Sequence, residues 1–214
     1  MKKIAVVTGT RAEYGILHAL LLLLQRSTEV ELSLIVTGTH LSEAHGYTKA
    51  QIVEDGFDIS AEVNLDIAGD QPLDIINYLA KATAGIGEAL SKISPDLVVL
   101  LGDRYEILGA AQAAMLLGQK IAHIHGGEVT LGAMDDSIRH AITKMADLHF
   151  TSTPEYKKRV IQLGANPSKV YWVGAPALDS LDSLERLTRS QFFELLGIDL
   201  GACLLYTSPS PRDA

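Results

Sequence analysis

The sequence predicts a doubly wound α/β domain whose parallel sheet is covered by helices on both faces. Two observations carry this expectation. Short runs rich in Val, Ile and Leu alternate along the chain with longer segments of helical periodicity. The short runs are almost continuously apolar over five or six residues, the pattern of a strand buried on both sides rather than one with a wet face.

In chain order, Lys3–Thr8 reads as a buried strand and Tyr14–Arg26 as the helix after it. Residues 16–24 within that helix are apolar on nearly every side, which predicts a helix buried all round. Val30–Thr37 is a second strand, and a helical pattern over Leu41–Asp55 ends at Gly56. Ile75–Ile93 is a helix stopped by Ser94 and Pro95. Asp96–Leu101 is the clearest buried strand, followed by an alanine-rich helix, Tyr105–Leu117, that ends at Gly118. Strand Ile121–His125, helix Asp135–Ala146, strand Leu148–Ser152, helix Pro154–Leu163 and strand Val170–Val173 complete a Rossmann-like series. The predicted boundaries are a sheet domain over residues 1–174 and a connector that begins a second region over 175–202, with a helical piece at Thr188–Leu196. Residues 203–214 lack periodicity and carry a Ser/Pro cluster. That stretch resembles a translated sequencing-adapter string, the alternative being a natural disordered tail, and it is left out of fold reasoning.

Composition narrows the function classes. The 214 residues are 47% apolar and 21% charged, ordinary for a folded protein. A formal net charge of −8 repels phosphate backbones at long range and argues against a nucleic-acid partner. An anionic small molecule remains compatible, because a few arginines can be focused in one cleft. The single cysteine, Cys203, allows no disulfide within the chain, as expected in the reducing cytoplasm. Lys2 and Lys3 before Ile4–Val7 imitate a signal peptide, but Thr8–Arg11 ends the apolar run too early. Residues 16–24 are too few to span a bilayer, so no membrane partner is expected.

Ligands of open parallel sheets sit at the carboxyl ends of strands, and four polar loops fall there. The first, Thr8–Gly15, lacks the dinucleotide Gly-x-Gly-x-x-Gly spacing. It opens onto a helix N-terminus where Arg11 could hold an anion, or Arg11 could merely pair with Glu13 in solvent. In the second, Asp103 stands at the cleft edge and Arg104 begins the next helix. Asp103 could serve as an acid/base carboxylate or simply cap that helix. In the third, strand geometry would point His123 and His125 to one face, with Gly126 and Gly127 admitting a close backbone approach. With Glu128 or Asp103 these histidines could ligate zinc, or they could be packed and hydrogen-bonded. In the fourth, Asp135 with Arg139 and Asp136 with His140 are i,i+4 neighbours, so ordinary helix pairing competes with chemistry. His40 ends the second strand on the same rim and reads by itself as a polar rim residue.

Taken together, Gly9–Gly15, Thr37–His40, Gly102–Glu106 and the long block His123–Lys144 resemble the hydrolysing UDP-N-acetylglucosamine 2-epimerases of sialic acid biosynthesis, over residues 1 to about 201. The resemblance implies the N-terminal half of a two-domain enzyme of the glycosyltransferase-B type, with its substrate between the domains. It implies a UDP-amino sugar substrate and the reaction of UDP-GlcNAc with water to give N-acetylmannosamine and UDP. No cofactor is implied, and the full-length protein is expected to be a homo-oligomer. The family's acid/base carboxylates match Asp103 and Asp135, and Arg11, Arg104 and His40 match positions lining the cleft. Glu13, His123 and Arg139 lie in the same matched segments and are expected to help bind substrate. One position departs: where family members carry Glu two residues after the match to His123, this chain has His125, so either Glu128 or His125 takes over that role. The resemblance leaves open a UDP-N,N'-diacetylbacillosamine 2-epimerase. A zinc hydrolase and a non-catalytic UDP-sugar-binding domain stand as alternatives from other classes. With the second domain's uridine and diphosphate contacts missing, this chain alone is expected to turn over little or nothing.

Overall fold

The computed structural model describes residues 1–66, 69–179 and 187–197. Met1–Leu181 forms one compact unit and Asp182–Ala214 a second. Seven parallel strands run β1 (Lys2–Thr8), β2 (Val30–Thr37), β3 (Ile59–Val63), β4 (Leu97–Leu101), β5 (Lys120–Ile124), β6 (Leu148–Thr151) and β7 (Val170–Trp172). Their spatial order is β3-β2-β1-β4-β5-β6-β7. The chain winds outward from β1 in one direction and from β4 in the other, so the crevice between those two strands is the switch point where such sheets bind ligands.

Alternate residues of each inner strand feed two apolar layers. Ala5, Val7, Val98, Leu100 and Ile121 pack under α3 (Pro72–Ile93), α4 (Tyr105–Leu116) and α5 (Met134–Met145). Val6, Leu34, Val36, Val99 and Ile124 pack under α1 (Arg11–Arg26), through Tyr14, Leu17 and Leu21. The predicted doubly wound sheet is the fold observed.

Local differences have physical causes. Helix α1 begins at Arg11 because Thr10 caps it: the Thr10 hydroxyl accepts from the Glu13 N–H, and the Glu13 side chain accepts from the Thr10 N–H. It is not buried all round, since Leu23 is 67% exposed. The long helical pattern over residues 41–55 shrinks to two 3₁₀ turns, Gly38–Leu41 and Glu43–His45, and a short α2 (Lys49–Glu54). Gly46 and Tyr47 adopt left-handed backbone there, and Ile52 is α2's one buried side chain. Strand β3 was not anticipated, because an edge strand with alternating exposure looks polar in sequence. Strand β5 ends at Ile124, one residue short of His125.

Helices α6 (Pro154–Gln162) and α7 (Arg189–Leu196) follow the expected patterns. Thr188 caps α7 and left-handed Gly197 ends it. The tail and Cys203 lie outside the described residues. No helix among the described residues is long and apolar enough to cross a membrane.

Candidate active site

Because every strand is parallel, the loops after β1, β2, β4 and β5 open on one edge of the sheet. After β1, the Glu13 carboxylate accepts from the Gly9 N–H at 2.8 Å and the Thr10 N–H at 3.2 Å. It therefore shapes the turn and is not paired with Arg11, which is exposed and without a partner among the described residues. Beneath the turn lies Glu106, fully buried in the first turn of α4, with Arg104 Nε donating to its Oε1 at 2.7 Å. A Cβ on Gly9 would sit 2.3 Å from that oxygen, so only glycine fits. Glu13 Oε1, Glu106 Oε2 and the Tyr78 hydroxyl are buried there without hydrogen-bond partners among the described residues.

Burial first, and the charge of Glu106 second, push the Glu13 carboxyl up to about 8. A carboxyl raised on folding contributes stability that is complete below its unfolded value near 4.5 and lost as pH rises through about 8. Glu13→Gln, which keeps one acceptor for the turn and mimics the protonated form, is expected to flatten that decline. The contribution of Glu13 alone to the slope over this window should not exceed about 1.4 kcal/mol per pH unit. Urea unfolding at pH 5, 7 and 9 checks this, and identical pH profiles for both proteins would count against it.

His40 is not a rim residue. Its side chain is completely buried, with Nε2 3.1 Å from Thr8 Oγ1 and Nδ1 2.7 Å from Thr48 Oγ1. Burial lowers its pKa to about 4, so a neutral His40 ties the β1 and β2 turns together.

Asp103 does not cap α4, since the cap position is Arg104. Its carboxylate instead takes a charge-assisted hydrogen bond from Arg139 Nη2, across from α5. Arg139 is 8% exposed and also donates to Thr130 Oγ1 at 3.1 Å. The expected Asp135–Arg139 pair therefore does not form, and Asp135 is exposed without a partner among the described residues. Asp136 is occupied, accepting from the Thr130 N–H at 3.0 Å and lying 3.5 Å from His140 Nε2. Burial raises the pKa of Asp103; Arg139 opposes the shift, and the charges of Asp135 and Glu128 add to it. These interactions bring Asp103, Asp135, Glu128 and Arg139 into one electrostatic cluster.

The two histidines of the β5 loop do not share a face. His123 stays on the strand, fully buried, with Nε2 2.8 Å from the Gly102 carbonyl and Nδ1 3.1 Å from Thr143 Oγ1. Burial lowers its pKa to about 4, and both ring nitrogens are occupied, which leaves neither free to ligate zinc. His125 leaves the strand at φ 65°, and its Nδ1 lies 2.9 Å from Glu128 Oε1. Ser152, just past β6, donates to the same oxygen at 2.6 Å. Burial alone would raise the Glu128 carboxyl, but the hydrogen bonds from His125 and Ser152 outweigh it and hold it below the ordinary value. Among the described residues no three His, Cys, Asp or Glu side chains are grouped to hold a metal ion.

Sequence reasoning gave no role to Glu106, Ser152 or Tyr78. An acid on the inner face of an otherwise alanine-rich helix was the available signal for Glu106. Ser152 and Tyr78 gave none, since each reaches its cluster only through tertiary packing.

Residues 23–198 match the family described as UDP-N-acetylglucosamine 2-epimerase. The chain is 45% identical over 195 residues to the polysialic acid biosynthesis protein P7 of Escherichia coli, covering 91% of this chain and 50% of that protein. It is 38% identical over 211 residues to the UDP-N,N'-diacetylbacillosamine 2-epimerase (hydrolyzing) of Legionella pneumophila, covering 98% of this chain and 56% of that one. The chain thus spans about half the length of these relatives. A crystal structure of the Methanocaldococcus jannaschii UDP-GlcNAc 2-epimerase in complex with UDP-GlcNAc and UDP superposes with a TM-score of 0.76 at 23% identity, over 92% of this chain and 54% of that one, a likeness of fold. With the matched segment running over residues 23–198, well over half of the chain, the chain belongs to the UDP-N-acetylglucosamine 2-epimerase family.

Proposed function

We propose that this chain supplies the N-terminal half of the active site of a hydrolysing UDP-sugar 2-epimerase, with UDP-GlcNAc as substrate. In that reaction the C2–H bond breaks and its electron pair forms a C1=C2 double bond. UDP leaves from C1, and water then adds, placing hydroxyl on C1 and a proton on the opposite face of C2. The observation that carries the reading is the Asp103 cluster at the sheet edge: a half-buried carboxyl held by Arg139, with Asp135, unpaired among the described residues, and the His125–Glu128 pair beside it. A carboxyl lifted by burial is suited to giving and taking protons. Arg11, exposed and without a partner among the described residues, offers positive charge toward the same edge for the diphosphate.

A second substrate, UDP-N,N'-diacetylbacillosamine, is favoured by the 38% identity to the Legionella enzyme. A cytoplasmic homo-oligomer of the full-length protein belongs to the same reading, and sedimentation of that protein tests the assembly. The functional experiment is UDP release by the full-length protein from each UDP sugar. Release from one or both supports the reading, and no release from either refutes it. This chain alone should release UDP at no more than about a hundredth of the full-length rate, because half of a preorganised site forfeits most of its positioning.

A further inference from the structure

His125 holds a backbone conformation that few side chains adopt. At φ 65° a residue with a Cβ is strained. Continued as a strand, the chain would have put His125 on the buried face that His123 occupies. The turn swings it out of the sheet, and Gly127 keeps the loop against α6, where a Cβ would lie 2.6 Å from the Tyr156 carbonyl oxygen.

In its turned position the imidazole is held at one end only. Nδ1 faces Glu128 Oε1 at 2.9 Å, and Ser152 Oγ donates to that oxygen at 2.6 Å. An ionised Glu128 is an acceptor only, so Nδ1 carries the hydrogen and Nε2 carries the lone pair in the neutral ring. Nε2 is buried and has no hydrogen-bond partner among the described residues. His123 and His40, by contrast, have both nitrogens occupied. A buried basic nitrogen left open, with its ring fixed from behind by the Glu128 carboxylate that belongs to the Asp103 cluster, is the arrangement of a proton-accepting imidazole.

We propose that His125 Nε2 takes the C2 proton of the bound sugar, and that Glu128 and Ser152 act only through His125, as positioning residues. This rests on the 2-epimerase reading. As the C–H electron pair becomes the C1=C2 bond and UDP departs with the C1–O pair, the proton passes to Nε2, and the imidazolium later returns it to water. Glu128 stabilises the imidazolium and keeps the tautomer, without touching the sugar.

A double-mutant cycle in the full-length protein, read as kcat and KM for UDP release, tests this. His125→Asn is the informative variant, because asparagine tolerates left-handed backbone but carries no proton at this pH. It is expected to lower kcat by about a hundredfold or more with little change in KM, and Glu128→Gln by about tenfold or more. Adding Glu128→Gln to His125→Asn should cost less than about threefold further, the signature of residues that act as a unit. Ser152→Ala should lower kcat modestly and leave KM unchanged. Multiplying losses in the double variant would make Glu128 an independent catalytic group and overturn the proposal, as would a His125→Asn enzyme with near-normal kcat. Wild-type protein that releases no UDP from either sugar would instead fail the functional reading itself, a separate outcome.

Discussion

Asp103→Asn in the full-length protein is expected to lower kcat for UDP release by about a hundred- to ten-thousandfold, the usual contribution of a positioned acid or base. Asparagine nearly matches the shape of aspartate and can still accept from Arg139, but it cannot carry a proton. Because Asp103 is spared the work of capping α4, the helix start should be unaffected and substrate binding should change only a few-fold, while the loss of Arg139's counter-charge lowers stability. Steady-state kinetics with a thermal unfolding control checks this, and a kcat within tenfold of wild type would remove Asp103 from the chemistry.

Arg139→Met is expected to have the largest effect on stability. Arg139 is 8% exposed and is the counter-charge that opposes the upward shift of Asp103. Removing one partner of a buried pair strands the other charge, at a cost of about 3 kcal/mol in such sites. The variant should also hold Asp103 protonated to higher pH and lose turnover. Arg139→Lys should recover only part of either effect, since an ammonium cannot reproduce donation to both Asp103 and Thr130. Urea unfolding is the measurement, and a loss below about 1 kcal/mol would mean that the pair contributes little.

The fold was largely legible because its determinants are local. Strands buried on both faces leave unbroken apolar runs, and helices between them leave capping residues such as Thr10 and Thr188. Strand β3 and the 38–54 segment were misread because their structure depends on packing at the sheet edge and on the left-handed Gly46 and Tyr47.

The site was legible as a set of loops but not as a set of partners. Spacing alone favours Asp135 with Arg139, and only the crossing of α5 near the β4 loop gives Arg139 to Asp103 instead. Alternation predicts His123 and His125 on one face, and a single positive φ separates them. Glu13 and Arg11 look like an ion pair in sequence, yet the backbone N–H groups of Gly9 and Thr10 occupy the carboxylate.

In the proposed reaction the carboxyl edge of this sheet assists removal and return of the hydrogen at C2. Its most direct test is turnover of UDP-GlcNAc by the full-length protein in D₂O. One solvent deuterium at C2 of the released N-acetylmannosamine, with free UDP, is the result expected. Retention of the original C2 hydrogen in that product would contradict it.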